Sequence, residues 1–277
     1  MNRPTKVLYV SDLDGTLLNR QSVVSERSAQ LLQAAIDRGA LFTIATARTP
    51  ATVDGLMSQI RGSLPYVVMT GAAMWHNHRL INRHYMQAER LAALRDICSQ
   101  NGIRPFYYFY NEEEEIINAY HSPQMSDAER AFYLQRANAP HKRFVISDRI
   151  PDNLLGSAML TFAIGDYDHI VAAHARAREV LPCSMTCYRD IFDASTGLFE
   201  VMAHGVSKAA AVAEIARSVA ADEIVVFGDS ANDLSMKTIA TRFVAPANAA
   251  QEVLAVADEI IDDNTTDSVA RYIADRV

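Results

Sequence analysis

The chain has 277 residues, 49% of them hydrophobic and 21% charged, and its 26 Lys and Arg against 33 Asp and Glu leave a formal net charge of −7. These values exclude a disordered or collagen-like chain, and they leave no overall positive field to attract nucleic acid or anionic lipid. No apolar run approaches the ~20 residues that a membrane span needs, and three sparse cysteines favour reduced thiols in a cytoplasmic protein.

Strand and helix patterns alternate at the start of the chain. A short apolar run that stops at polar residues is typical of a buried parallel strand. Ser25 is a suitable N-cap for the first helix, and Gly39 is suited to ending it. Strands are expected at residues 7–10, 41–44 and 66–69, and helices at residues 25–36 and from Thr49 to about Arg61. This alternation predicts right-handed crossovers and a parallel sheet.

The middle of the chain, from about Arg83, mixes hairpins with helices, which favours a separate α+β unit. Its helices are expected near residues 88–100, 127–137 and 168–181, and its strands near residues 106–110, 116–117, 157–164, 185–192 and 198–202. After Gly205 the alternation returns, with helices at 208–219, 230–240, 249–257 and 265–276 and strands at 223–227, 242–244 and 259–261. Residues 1–83 and 192–277 are therefore expected to form one α/β core, interrupted by residues 84–191.

Three groups of potential metal ligands have simpler explanations. His76 and His78 have no third ligand nearby and are expected to be exposed residues of a hairpin turn. Cys183 and Cys187 have no second cysteine pair and are expected to be packing residues. The acidic run at residues 112–115 is expected to form a solvated turn.

Two carboxylates follow the first strand directly, at Asp12 and Asp14. Ligands of open parallel sheets bind beyond the carboxyl ends of the strands, and Gly15 allows a sharp turn there. A carboxylate at Asp12 could attack phosphorus and form an aspartyl phosphate, while Asp14 could protonate the leaving oxygen and then accept a proton from water. A turn or a calcium-type site would explain a lone pair of aspartates, but the position after a strand favours this chemistry.

A second pair, Asp229 and Asp233, follows the strand expected at residues 223–227. Four carboxylates could share a site with a phosphate dianion only if a cation intervened. Mg²⁺ fits this need, because it prefers oxygen ligands and is usually held by one or two carboxylates together with the phosphate. An N-cap in a loop would explain one aspartate but not four across two strand ends.

Two further residues fit the same pattern. Thr46 lies just beyond the end of the second strand and could donate a hydrogen bond to a phosphate oxygen. Lys208 follows the capping Ser207, where the positive end of the helix dipole disfavours a lysine unless an anion lies there. Taken singly, a turn or cap role for Thr46 and a surface position for Lys208 are the simpler explanations.

In this order along the chain, these residues resemble the four motifs of the haloacid dehalogenase-like superfamily. The resemblance rests on residues 12–16, Thr46, Lys208 and residues 228–233. The long insertion is similar to the type IIB cap of the Cof-type phosphatases, and residues 264–269 are similar to their C-terminal pattern. The resemblance implies a Rossmann-like parallel-sheet core and an inserted α+β cap that closes over the site and sets substrate specificity. The departures from the family pattern are Thr70-Gly71, Ala209 and residues 74–76.

The resemblance also implies a role for each residue of the site. Asp12 would be the nucleophile, Asp14 the acid and base, and Lys208 the group that neutralises the phosphoryl oxygens. The residues implied to hold Mg²⁺ are Asp12, Asp14 through its backbone carbonyl, Asp229 and, in a supporting position, Asp233. The residues implied to bind phosphate are Leu13, Thr46, Ala47, Arg48, Lys208 and Asn232. Candidates for contact with the leaving group are Arg48, Arg104, Tyr107, Tyr110 and Arg189.

The expected protein is therefore a cytoplasmic, Mg²⁺-dependent phosphatase of small phosphorylated metabolites, sugar phosphates above all. We expect a monomer or homodimer without a nucleic acid or membrane partner. A phosphomutase or phosphotransferase with the same intermediate is the enzymatic alternative, and a non-catalytic phosphometabolite-binding regulator is the other. Thr16 beside Gly15 favours the phosphatase, and four carboxylates together with Lys208 argue against a pure binding module.

Overall fold

The structure, a computed structural model, describes residues 5–190 and 193–277. The first part of the chain forms β1 (Val7–Ser11), α1 (Glu26–Asp37), β2 (Leu41–Ile44), α2 (Pro50–Leu56), β3 (Tyr66–Val68), β4 (Ala73–His76) and β5 (Arg79–Ile81). The middle forms α3 (Ala88–Gln100), β6 (Phe106–Asn111), β7 (Ile116–His121), α4 (Asp127–Arg136), β8 (Lys142–Ile146), β9 (Ala158–Asp166), α5 (Tyr167–Val180), β10 (Ser184–Arg189) and β11 (Thr196–Met202). The last part forms α6 (Lys208–Ser218), β12 (Glu223–Phe227), α7 (Leu234–Lys237), β13 (Arg242–Pro246), α8 (Gln251–Leu254), β14 (Glu259–Ile261) and α9 (Ser268–Ala274).

The chain divides into two compact units, of which the first comprises Met1–Ile81 and Ser207–Val277. Its main sheet has five parallel strands in the order β14-β13-β12-β1-β2. Leu8, Val10 and Val226 are fully buried in the core of this unit because strands covered by helices need apolar side chains on both faces. The expected α/β class with a parallel-sheet core is confirmed.

The third expected strand of that sheet lies elsewhere. β3 belongs to a three-stranded antiparallel sheet with the order β3-β4-β5, and a single parallel bridge between Ala45 and Val67 links it to the end of β2. The chain leaves strand geometry at Met69 and Thr70, whose φ angles are 50° and 56°. These left-handed residues turn the chain into β4, so β3 pairs with β4 instead of continuing beside β2. A local run of β-forming residues does not reveal this change of partner.

The second unit comprises Asn82–Val206 and contains a six-stranded sheet in the order β10-β11-β9-β6-β7-β8. Buried residues of α3 and α5 pack with Phe109 and Phe199 in one apolar cluster, and Cys183 and Cys187 pack against it. On the other side of β6, Phe132 of α4 contacts the Phe106 ring, with their centroids 5.1 Å apart. This mixture of hairpins and helices gives the unit an α+β composition.

Several element bounds differ from the expected ones. The second unit extends to Val206 because β11 pairs with both β9 and β10, whereas the sequence pattern predicts a boundary between residues 191 and 192. That boundary and the end of the strand expected at 185–192 lie outside the described residues. α2 ends at Leu56 rather than near residue 61, and β8 was not expected. Among the described residues, every helix is too short or too polar to cross a membrane.

Candidate active site

The two aspartate pairs lie at one edge of the parallel sheet because β1 and β12 are neighbours. Ser11 is paired with Phe227 at the carboxyl ends of these strands, and the backbone N–H of Asp12 donates to the carbonyl of Phe227 at 2.9 Å. One oxygen each from Asp12, Asp229 and Asp233 lies within 4.8 Å of the others. The structure therefore brings together three of the four predicted carboxylates.

Lys208 bridges two of these three carboxylates. Its Nζ donates to Asp12 Oδ1 and to Asp233 Oδ1 at 2.8 Å each, and it lies 3.3 Å from the side-chain oxygen of Asn232. Only 1% of Lys208 is exposed. The helix dipole disfavours a lysine in the first turn of α6. The two carboxylates that accept hydrogen bonds from Lys208 offset this cost.

The site carries more negative charge than Lys208 balances. Burial and the negative charge of Asp233 raise the pKa of Asp12 to about 8, although the positive charge of Lys208 opposes this rise. Burial and Asp233 likewise raise the pKa of Asp229 to about 6. Burial disfavours the ammonium of Lys208, but the charges of Asp12 and Asp233 outweigh it and raise its pKa. Carboxylates that resist ionisation in this way are stabilised by a nearby cation.

The donor set fits a hard divalent cation such as Mg²⁺, since every group that the cluster offers is a carboxylate oxygen. Asp233 already accepts from Lys208 through Oδ1 and from the backbone N–H groups of Asp229 and Ser230 through Oδ2, at 3.1 Å each. It therefore holds the loop in shape. Asp12 and Asp229 are the side chains suited to direct coordination, with Thr16 fixing Asp229 by a 2.9 Å hydrogen bond to Oδ1.

Asp14, the fourth predicted carboxylate, has a different partner. The guanidinium of Arg48 donates two parallel hydrogen bonds to the Asp14 carboxylate, from Nε to Oδ2 at 2.7 Å and from an Nη to Oδ1 at 2.6 Å. About half of the Asp14 side chain is exposed, and its carboxylate lies outside the cluster of three. The structure thus pairs a predicted phosphate ligand, Arg48, with the predicted acid and base.

The remaining predicted phosphate ligands follow the carboxyl ends of β1, β2 and β12. Thr46 is buried just beyond β2, and its Oγ1 accepts from the backbone N–H of Arg48 at 3.1 Å. Leu13 is fully buried and Ala47 half-buried. The side-chain oxygen of Asn232 accepts from Ser230 Oγ at 3.0 Å. Thr16, Asn248 and Asn264 hold the site as well; the sequence interpretation gave them no such role, although each follows a strand that ends at this edge.

The residues suggested for leaving-group contact lie in the second unit, apart from Arg48. Tyr107 and Tyr110 alternate along β6 and so point to opposite faces of its sheet. Arg104 is exposed just before that strand. Arg189 stacks on the ring of Tyr167, with its guanidinium carbon 3.5 Å from the ring centroid. These four residues do not form a single cluster.

Three comparisons bear on the identity of this chain. A family model described as haloacid dehalogenase-like hydrolase matches residues 9–273. The chain is 25% identical over 273 residues to a 5-amino-6-(5-phospho-D-ribitylamino)uracil phosphatase, YcsE of Bacillus subtilis (strain 168), covering 96% of this chain and 94% of the relative.

Solved structures share the fold. A haloacid dehalogenase-like hydrolase from Bacteroides thetaiotaomicron superposes with a TM-score of 0.78 at 19% identity, covering 99% of this chain and 100% of that one. A HAD subclass IIB sugar phosphatase superposes with a TM-score of 0.73 at 20% identity, covering 98% and 99%. Because the family model spans residues 9–273, nearly the whole chain, this chain belongs to the haloacid dehalogenase-like hydrolase family.

Proposed function

We propose that this hydrolase is a Mg²⁺-dependent phosphatase that cleaves small phosphorylated metabolites through an aspartyl phosphate. The observation that carries the proposal is the buried Asp12 carboxylate, hydrogen-bonded to Lys208 and close to Asp229. A nucleophile for a phosphate ester needs nearby positive charge, because the attacking carboxylate and the phosphoryl oxygens repel each other. Lys208 supplies one positive charge, and a Mg²⁺ ion, which Asp12 and Asp229 would hold, would supply the rest of the charge neutralisation.

The reaction then uses the chain's own residues in two steps. An oxygen of Asp12 bonds to phosphorus while the ester bond to the leaving oxygen breaks, and Asp14 gives that oxygen a proton. In the second step Asp14 takes a proton from water, whose oxygen attacks phosphorus and releases Asp12 and inorganic phosphate. Lys208 stays beside Asp12 throughout and stabilises the charge on the transferring group.

Arg48 and Asp14 must change partners for this to happen. The fork engages both carboxylate oxygens of Asp14, whereas the acid step needs one of them to face the leaving oxygen. We infer that the incoming phosphate takes over the Arg48 guanidinium and frees Asp14 to act as acid. This exchange gives Arg48 the phosphate-binding role that the resemblance implies.

The relatives support a class of substrate. The name of the curated relative in Bacillus subtilis specifies a phosphorylated ribityl compound, and the subclass IIB neighbour is titled a sugar phosphatase. Both leaving groups are polyhydroxylated carbon chains. We therefore propose phosphorylated sugars or sugar alcohols as substrates, the inserted unit as the part that selects among them, and the cytoplasm as the location, in keeping with three free cysteines.

The decisive experiment replaces the nucleophile. Asp12→Asn removes the charged attacking oxygen but keeps its shape, so phosphate release from a chromogenic ester and from a sugar-phosphate panel should fall by at least about a thousandfold. Asp37→Asn, at an exposed position of α1, is the matched control and should keep full activity. Full activity in Asp12→Asn would remove the assignment, and transfer of phosphate to an added alcohol instead of water would show a phosphotransferase.

A further inference from the structure

Two asparagines from the carboxyl-terminal part of the chain contact the segment that follows the nucleophile, here called the nucleophile loop (residues 13–18). The side-chain amide of Asn248 donates to the carbonyl of Gly15 at 2.8 Å. Asn264 donates in the same way to the carbonyl of Leu18 at 2.7 Å. The backbone N–H of Asn264 donates to Asn248 Oδ1 at 2.9 Å, which joins the two residues.

Asn248 uses both ends of its amide, the nitrogen as a donor and the oxygen as an acceptor. Its nitrogen meets a carbonyl, which only accepts, and its oxygen meets a backbone N–H, which only donates. The partners therefore determine the orientation of the group. A carboxylate at this position could not donate to Gly15 and would bring another negative charge to the edge of the sheet where Asp229 lies.

The turn that carries Asn248 also holds the second carboxylate-bearing loop. It follows β13, the strand beside β12, and the backbone N–H of Ala250 donates to the carbonyl of Asp229 at 2.8 Å. Residues 248–250 therefore donate hydrogen bonds both to the carbonyl of Gly15, which follows Asp14, and to the carbonyl of Asp229. A displacement of either loop relative to the other would strain this turn.

The nucleophile loop tolerates little displacement. Gly15 has a φ of +74°, and a Cβ there would lie 2.2 Å from Asp229 Oδ2, so its backbone already touches that carboxylate. Thr16 next to it donates to Asp229 Oδ1 at 2.9 Å. Because Gly15 follows Asp14 directly, the position of its carbonyl sets the direction in which the loop presents Asp14.

We propose that Asn248 and Asn264 are positioning residues of the reaction, a pair of linked amides that fixes the nucleophile loop against Asp229. Neither side chain needs to contact substrate for this role. The kinetic part of the inference rests on the proposed phosphatase function, whereas the restraint of the loop stands on its hydrogen bonds alone.

The first test measures kinetics. Asn248→Leu keeps the size of the side chain but removes the donor and the acceptor. We expect kcat to fall about tenfold to hundredfold, as it does when a group behind the reacting residues is lost, and the Mg²⁺ concentration for half-maximal activity to rise. Asn264→Leu should have a smaller effect, because its backbone N–H remains. The double variant should lose less than the sum of the two, since the amides act through one loop.

The matched control is Asn101→Leu in the second unit. Asn101 also donates from its side-chain amide to a backbone carbonyl, that of Ile97, at 2.8 Å. Asn101→Leu should lose about as much stability as Asn248→Leu, on the order of 1 kcal/mol in the free energy of unfolding. It should change neither kcat nor the Mg²⁺ requirement. If Asn248→Leu behaved like this control, its role would be structural only and the proposal would be overturned.

The second test does not depend on activity. Hydrogen exchange of the peptide that contains residues 13–18 should be faster in Asn248→Leu and unchanged in Asn101→Leu, because only the first loosens the nucleophile loop. Unchanged exchange in Asn248→Leu would overturn the restraint. If the wild-type protein released no phosphate, the proposed function would fail, while the exchange experiment would still decide whether the asparagines hold the loop.

Discussion

Gly71 lies where two backbone segments approach each other beside the lysine of the site. Its φ is +97°, and a Cβ there would be 2.3 Å from the carbonyl oxygen of Ser207, the residue that caps α6. Since Lys208 begins that helix, the absence of a side chain at residue 71 determines how closely Lys208 can approach. The glycine is therefore needed both for its conformation and for the space it leaves.

The two needs can be separated by comparing Gly71→Ala with Gly39→Ala. Gly39 has a φ of +105° but no atom within 4 Å of its missing Cβ. Gly39→Ala should therefore cost only the conformational strain, about 1–2 kcal/mol in the free energy of unfolding, and keep activity. Gly71→Ala should cost about 1–3 kcal/mol more from overpacking and lower kcat at least about tenfold by displacing Lys208. Urea unfolding and phosphate release measure both, and equal losses in the two variants would contradict the argument.

β8 shows at the scale of an element how a polar side chain is kept in a sheet. Its first residue, Lys142, is 7% exposed, and its ammonium lies 4.8 Å from the ring centroid of Phe144 and 5.7 Å from those of Tyr108 and Phe132. Burial, with the like charge of Arg136, lowers its pKa from 10.5 to about 8. The aromatic faces offset part of the cost of burying the charged amine. The remaining cost still lowers the free energy of unfolding.

Lys142→Met should therefore stabilise the protein at neutral pH. The folded state disfavours the protonated amine, so the penalty is complete below about pH 8 and vanishes above the unfolded value of 10.5. We expect a gain on the order of 1–2 kcal/mol at pH 7, after the loss of the cation–π contacts, and almost none near pH 10.5. Urea unfolding at both pH values measures it. Lys237→Met, at a surface ion pair, should bring no gain, and a loss of stability in Lys142→Met at pH 7 would refute this account.

At the scale of the whole molecule, the site is assembled from distant parts of the first unit. Lys208 and Asp12 are 196 residues apart, and Thr16 and Asp229 are 213 apart. All of the second unit, Asn82–Val206, is inserted between them. The carboxylates therefore meet only when the first unit is folded, and a cation bound there stabilises that unit against unfolding.

Adding Mg²⁺ should raise the thermal midpoint of the first unit. At 100 times the dissociation constant the gain is about 2.7 kcal/mol for a cation that binds only the folded state. The only tryptophan of the chain, Trp75, is buried in β4 of that unit, so its fluorescence reports the transition. Chelation should reverse the shift, and Asp229→Asn should abolish it.

The control for this experiment is Asp258→Asn, which alters an exposed ion pair with Lys237 and should keep the shift. Asp229→Asn should not lower the midpoint measured without metal, because it removes a half-buried carboxylate whose ionisation is disfavoured by burial and by Asp233. A midpoint that Mg²⁺ leaves unchanged in the wild-type protein would argue against the site.

The amino-acid sequence alone predicts the α/β class, the parallel strands β1, β2 and β12, and the aspartates that follow β1 and β12. These are local properties: apolar runs of strand length followed by a polar turn, placed by the rule that parallel strands share one carboxyl edge. The resemblance to a family rested on the same segments, and the match over residues 9–273 confirmed it.

The partners of these residues depend instead on tertiary contacts. Contacts between distant segments pair Arg48 with Asp14 and Lys208 with its carboxylates. Such contacts also place β3 in a separate sheet and position the amides of Asn248 and Asn264. No local pattern encodes them, because hydrogen bonds are directional and short, so a shift of one ångström in how two loops meet changes which groups pair.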